Sequence, residues 1–196
     1  MVRDAAKEFG YETIRMFMLS AHYRSPLNYS AESLEMNKAS LARLYESRNN
    51  MEFRIEKAVG DTMTAEETEK MTQLETYKQK FIDAMDDDMN TADALSAIFE
   101  LVREINGYMS KHDDATKAFL TKAHGLFMEL TGVLNIVQKH DDEVDPEAEK
   151  IEALIAQRTA AKKAKDFARA DQIRDELAQM GITIKDTRQG VQWSRA

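Results

Sequence analysis

Apolar residues recur at intervals of three and four over the first two thirds of the chain, which is the spacing of amphipathic α-helices. The first predicted helix runs from about Gly10 to His22 and ends ahead of Pro26, whose ring disfavours helical backbone at Ser25. The residues expected to be buried on this helix are Ile14, Phe17, Met18 and Ala21. With only seven glycines and two prolines in 196 residues, few positions can interrupt a helix.

Polar capping residues predict where four further helices begin. The expected first residues or caps are, in order, Ser30, Thr64, Asn90 or Thr91, and Asp113 or Asp114. Glu67 lies three residues after Thr64, so these two residues can form a reciprocal capping box. The expected buried residues are Leu34, Leu41, Leu44, Ile55, Met71, Leu74, Phe81, Ile82, Leu95, Ile98, Leu101, Val102, Ile105, Phe119, Leu120, Ala123, Phe127, Leu130 and Leu134. Short loops between such helices predict an antiparallel helical bundle over residues 1–137.

The pattern changes after the bundle. Residues 138–149, "QKHDDEVDPEAE", hold six acidic residues and one bulky apolar residue, which predicts a hydrated linker. Residues 150–196 then predict two short helices, the second capped by Asp166 and ended by Gly181, followed by a hairpin of "ITIKD", the turn "TRQG" and "VQW". Trp193 is expected in this small core. The fold class is therefore mainly α, a bundle followed by a small helix-helix-β-hairpin domain.

Charge divides the chain in the same place. Residues 150–196 hold ten Lys or Arg against six Asp or Glu, a balance of +4, whereas the whole chain carries −8, so residues 1–149 carry −12. The chain has no cysteine, and none of its four histidines is paired at a helical i, i+4 spacing, so a zinc site is not expected. It has no apolar run long enough to span a membrane and no secretory leader, which together favour a cytoplasmic protein.

The stretch "RTAAKKAKDFARAD" concentrates the positive charge, and two interpretations fit it. An alternating-charge helix is commonly a solvated face. Alternatively, the cations contact phosphates while Phe167 stacks on an unpaired base, as in single-stranded RNA recognition. Asp171 and Asp186 could then accept hydrogen bonds from N1–H and the 2-amino group of a guanine.

Three motifs in order carry a resemblance over essentially the whole chain: "MLSAHYRSPLNYS", "DDDMNTADAL" and "LIAQRTAAKKAKDFARADQIRDELAQMGITIKDTRQGVQW". The chain resembles the cysteinyl-tRNA synthetases, class I enzymes with a separate catalytic domain. "VRDAAKEFGYETIRMF" resembles the segment just after the KMSKS signature, and neither HIGH, KMSKS nor the zinc site is present. The resemblance therefore implies the C-terminal part of such an enzyme, without catalytic residues: a DALR-like bundle that contacts the tRNA stem, then an anticodon-binding domain.

The resemblance also implies roles for single residues. The residues implied to read the GCA anticodon of cysteine tRNA are Lys162, Phe167, Asp171 and Asp186. An arginine is common in the family at position 162 and a tryptophan at position 167, whereas both acids match. Further phosphate contacts are expected from Arg158, Lys163, Lys165 and Arg169. The full-length enzyme is implied to use ATP, magnesium and zinc, with no cofactor bound by this part, and to act as a monomer in which the bundle meets the catalytic domain.

Three alternatives stay open from the sequence. The chain could be a helical protein-interaction adaptor that does not bind RNA, since an acidic bundle with a basic tail also suits that role. "DDDMN" could bind Mg²⁺ or be a solvated helix boundary. "HYRSPLNYS" could contact RNA or the catalytic domain, or its His22 and Arg24 could complete a helix C-terminus. No triad or metal spacing supports a self-sufficient hydrolase.

Overall fold

A computed structural model describes residues 2–138, 148–187 and 190–195. Within these ranges the chain folds into eight α-helices and one two-stranded antiparallel sheet, so the mainly α class predicted from the sequence is confirmed. The elements are α1 Val2–Phe9, α2 Tyr11–Leu19, α3 Ala31–Lys57, α4 Ala65–Asp86, α5 Thr91–Lys111, α6 Lys117–Val133, α7 Ala148–Lys163, α8 Phe167–Gln179, β1 Ile182–Thr187 and β2 Gly190–Arg195. The chain divides into two compact units, Met1–Gln138 and Lys139–Ala196.

The first unit contains helices α1 to α6. Its main core lies where α4 packs on α5 and α6, and α3 packs on α6. Fully buried side chains in this core are Leu44, Met51, Leu74, Ile98, Leu101, Ile105, Phe119 and Phe127. Within α3, α5 and α6 these residues lie three, four, seven or eight positions apart, which is the spacing from which the bundle was predicted.

The start of the chain differs from the prediction. Gly10 has a φ of +80°, a conformation that side chains other than glycine rarely adopt, and it separates α1 from α2. The predicted helix from Gly10 to His22 is thus α2, which ends at Leu19, and α1 was missed. Met18 was wrongly expected to be buried, because it is 64% exposed, whereas Met16 is buried instead.

Capping residues set most helix starts as predicted. Ser30 caps α3, Thr64 and Glu67 form the capping box of α4, and Asn90 caps α5. The predicted start of α6 near residues 113–114 is wrong, since the helix begins at Lys117 with Thr116 as its cap. Ile82 on α4 was also wrongly expected in the core and is 37% exposed.

The second unit contains α7, α8 and the hairpin. Its core joins Ile151 and Leu154 of α7, Ile173 and Leu177 of α8, and Ile182 of β1, with Ile184 and Trp193 partly buried against it. Asp166 caps α8, and Gly181, with a φ of +73°, follows its last turn, both as predicted. The strands pair from Ile182 with Arg195 to Thr187 with Gly190. Arg188 and Gln189 of the predicted turn, and residues 139–147 of the predicted linker, lie outside the described residues.

Candidate nucleic-acid interface

The inward face of β1 changes from apolar to charged along its length. Ile182 and Ile184 point into the small core, and Asp186, two residues further on the same face, lies beyond its edge. The facing stripe of α7 changes in the same way, because Ile151 and Leu154 are followed at helical spacing by Arg158 and Lys162. At the edge of the small core, the carboxylate of Asp186 therefore faces the cations of Arg158 and Lys162.

Asp186 accepts three charge-assisted hydrogen bonds. Arg158 donates two in a bidentate pair, from Nη1 to Oδ1 at 2.8 Å and from Nη2 to Oδ2 at 2.9 Å. Lys162 donates from Nζ to Oδ2 at 2.7 Å. The side chain of Arg158 is only 6% exposed, whereas those of Lys162 and Asp186 are 42% and 50% exposed. A buried cation therefore holds a carboxylate that still faces solvent.

The electrostatics keep this carboxylate ionised. The hydrogen bonds from Arg158 and then from Lys162 hold the pKa of Asp186 far below its ordinary value of 3.8, against the opposing effect of burial. The hydrogen bond to Asp186 raises the pKa of Arg158, and the charge of Asp171 raises it further.

Phe167 opens α8 with its ring in solvent. Its side chain is 63% exposed, although α8 buries Ala170 only three residues later. Asp171 is exposed one turn after Phe167 and lies 3.5 Å from Arg174 in a surface ion pair. An exposed aromatic ring followed at i+4 by a carboxylate offers a stacking face and an acceptor on one side of the helix.

The remaining candidate cations fall into two groups. Lys163, Lys165 and Arg169 are exposed around the short loop between α7 and α8. Arg158 differs, because it is buried and both of its Nη groups donate to Asp186. Arg158 thus holds the carboxylate of Asp186, and its contact with a phosphate stays a prediction.

Sequence reasoning missed this pairing between Arg158 and Asp186. The signal was present, because Arg158 continues the apolar stripe of α7 at i+4 from Leu154, and Asp186 continues the alternation of β1. A charged residue at a core position of two facing elements indicates an ion pair. The basic run around it concealed that signal.

The two segments of the first unit whose roles the sequence left open, "HYRSPLNYS" and "DDDMN", are in contact with each other. Tyr23 donates a hydrogen bond to Asp88 at 2.9 Å, Arg24 lies 2.8 Å from the same carboxylate, and His22 lies 3.8 Å from it. Because α2 ends at Leu19 with Ser20 as its cap, His22 and Arg24 do not complete that helix. "HYRSPLNYS" and "DDDMN" thus form one polar cluster on the bundle.

Among the described residues, no three His, Asp or Glu side chains gather as metal ligands would. Asn90 of "DDDMN" caps α5 through its side-chain oxygen, as the interpretation of a helix boundary expects. Of the helices that the structure describes, none combines the length and apolar character needed to cross a bilayer.

Comparison with known proteins places both units. Residues 80–138 match the DALR domain, and residues 145–193 match the cysteinyl-tRNA ligase anticodon binding domain. The chain is 50% identical over 194 residues to the cysteine–tRNA ligase of Clostridioides difficile, covering 99% of this chain and 41% of that protein. It is 45% identical to the cysteine–tRNA ligase of Lachnospira eligens, covering 100% and 40%. The resemblance seen in the sequence is thereby confirmed, and the chain spans about 40% of the length of these curated relatives.

A solved structure shares part of the fold. The LeuRS in the ternary LeuRS-tRNA-LeuAMS complex from Agrobacterium radiobacter K84 matches with a TM-score of 0.56 at 17% identity, covering 67% of this chain and 17% of that one. At that identity the match concerns the fold alone.

Proposed function

Because this chain contains a DALR domain and a cysteinyl-tRNA ligase anticodon binding domain, we propose that it is the tRNA-binding part of a cysteine–tRNA ligase. Its ligand is cysteine tRNA, whose GCA anticodon binds the second unit, while the bundle contacts the tRNA stem and the catalytic domain. The rest of the ligase carries out ATP-dependent aminoacylation. A cytoplasmic, monomeric enzyme with a linker over residues 138–149 stays our prediction.

One observation carries the anticodon proposal. An exposed ring, Phe167, opens the helix on which the carboxylate of Asp171 is exposed one turn later. A base stacked on that ring would present its edge to Asp171, one turn along the helix. This combination of an aromatic face and acceptors is how proteins bind unpaired RNA bases.

The chemistry of the acceptors favours guanine. Guanine presents two donors, N1–H and the 2-amino group, along its Watson–Crick edge. Adenine places an acceptor at N1, which would confront a carboxylate with a lone pair. Since Asp186 is held ionised, it can only accept, and the site selects a base edge that donates.

The cations supply affinity without sequence preference. Lys163, Lys165 and Arg169 are exposed beside Phe167 and suit phosphate oxygens. Lys162, where an arginine is common in the family, contributes a flexible point charge in place of a planar fork. Phe167, where a tryptophan is common, stacks with a smaller face.

The ATP, magnesium and zinc implied by the resemblance belong to the full-length enzyme. The described residues of this chain bring together no ligand set that fits either metal. The role proposed for this chain itself is to bind and orient tRNA.

The test compares Asp171→Asn with Phe167→Ala in the 196-residue chain, on stem-loops with GCA or ACA anticodons at fixed salt. Asp171→Asn should weaken GCA binding about tenfold and leave ACA almost unchanged, by analogy with bidentate base contacts of roughly 1–3 kcal/mol in DNA. Phe167→Ala should weaken both RNAs by a similar factor, because stacking tolerates any base.

Both positions are exposed, so the variants should fold as the parent chain does, which thermal unfolding checks. Equal losses on the two RNAs with Asp171→Asn would mean that this acid does not read the base. A parent chain that binds neither stem-loop would favour the protein-interaction adaptor.

A further inference from the structure

The carboxylate of Asp186 is a solvent-facing acceptor on a buried support. The support is Arg158, whose bidentate contact joins α7 to the end of β1. A bidentate guanidinium fixes the plane of a carboxylate as well as its position. The side chain of Arg158 is only 6% exposed, so breaking its contact with Asp186 would leave a buried charge without its partner.

Lys162 is a different kind of partner. It makes one contact, to Oδ2 at 2.7 Å, and its side chain is 42% exposed. Because Lys162 is half exposed and its stem is flexible, its ammonium can leave Asp186 and bind another anion at little conformational cost. The two cations that hold Asp186 are therefore not equivalent.

The lone pairs of the Asp186 carboxylate limit how a base could bind to it. An ionised carboxylate offers about four lone-pair positions, two on each oxygen. The fork of Arg158 uses the position on each oxygen that faces the other oxygen's partner, and Lys162 uses the outward position on Oδ2. A base donor can therefore reach only an outward position of this carboxylate, and on Oδ2 that position becomes available only when the contact from Lys162 is given up.

We propose that Arg158 is a positioning residue that holds the Asp186 carboxylate so that an outward acceptor position faces a base donor, and that Lys162 is the exchangeable donor that the base replaces. The released ammonium then contacts a backbone phosphate. This inference rests on the proposed function, because it assumes that Asp186 faces an anticodon base. It adds that base selectivity depends on a buried residue that does not itself contact the base.

The test measures selectivity, defined as the dissociation constant for the ACA stem-loop divided by that for the GCA stem-loop, in the 196-residue chain. Arg158→Lys keeps the charge but loses the fork, so selectivity should fall about tenfold, the scale of one good base contact. Lys162→Met should leave selectivity unchanged or higher. For the GCA stem-loop it should also reduce the slope of log K against log salt by about 0.7, the one phosphate contact that the released ammonium makes.

A merely structural role for Arg158 predicts a different result. Arg158→Lys would then weaken both stem-loops equally and leave selectivity intact, which would overturn the proposal. Loss of selectivity with Lys162→Met would also overturn it, because Lys162 would then be part of the reading geometry.

A second variant keeps the proposal testable if Arg158→Lys does not fold. Asp186→Glu retains the charge and the cationic partners but moves the carboxylate by one methylene. If a fixed orientation reads the base, selectivity should fall about tenfold here too, and unchanged selectivity would refute the inference. A parent chain without preference for GCA would refute the proposed function and this inference together, whereas preference retained in both variants would refute the inference alone.

Discussion

At the residue scale, the ionised carboxylate of Asp186 makes the stability of the folded chain depend on pH. Its pKa is depressed in the folded chain, mainly by the hydrogen bonds from Arg158 and then Lys162. A depressed carboxyl pKa contributes stability above the unfolded value of about 3.8, and the contribution is lost as the pH falls through the folded value.

We therefore predict that the second unit loses stability as the pH drops below about 4, in addition to the losses from its other carboxylates. Asp186→Asn should be less stable than the parent chain at neutral pH, because it leaves Arg158 with a poorer partner. The difference between the two should shrink at low pH. Urea unfolding monitored by Trp193 fluorescence between pH 2.5 and 7 measures it, and a difference that is independent of pH would contradict the prediction.

The sequence predicted that Asp186 carries function but not what holds it. Alternation of "ITIKD" placed the residue on a strand, whereas the partner depends on how a helix more than twenty residues earlier lies on that strand. Such a contact is set by tertiary packing, which the spacing of residues in one element does not encode.

At the element scale, one buried carboxylate joins the starts of two helices. Glu67 accepts from the backbone N–H of Thr64 at 2.8 Å, closing the capping box of α4. It also accepts from the N–H and hydroxyl of Thr116, the cap of α6, at 2.7 and 2.8 Å. This explains why the capping box of α4 could be predicted from local spacing, while the start of α6 could not: its cap is held by a residue 49 positions earlier.

We predict that Glu67→Gln lowers the free energy of unfolding of the first unit by about 2 kcal/mol, the scale of hydrogen bonds to a charged acceptor. Burial opposes ionisation of Glu67, but its hydrogen bonds with Thr116 and Thr64 prevail and lower its pKa. An amide replaces one acceptor oxygen with a donor that faces N–H groups. Urea denaturation followed by circular dichroism measures the loss, and Glu66→Gln, an exposed neighbour, is the matched control. Equal stability of the two variants would contradict the prediction.

At the scale of the whole molecule, charge is divided between the two ends of the chain. Residues 1–149 carry −12 and residues 150–196 carry +4, and most of the anticodon-domain match over residues 145–193 falls in this positive part. The sequence alone predicted this division, because charge and apolar spacing both change near the same position.

We predict that binding of the GCA stem-loop weakens with salt, with a slope of log K against log salt of about −1.4 to −2.8 for two to four phosphate contacts. Lys163→Gln combined with Lys165→Gln should reduce the magnitude of this slope by about 1.4. Lys38→Gln combined with Lys122→Gln changes the net charge equally in the first unit and should leave the slope nearly unchanged. Identical slopes in both double variants would mean that neither Lys163 nor Lys165 contacts a phosphate.

The bidentate contact between Arg158 and Asp186 also constrains how this protein can change by mutation. Replacing Asp186 alone leaves the buried cation of Arg158 without its carboxylate, and replacing Arg158 alone leaves the acid with only the exposed Lys162. The two single substitutions should therefore together cost more stability than the double substitution. Among related chains, positions 158 and 186 should therefore covary. A change at one position should be found together with a matching change at the other.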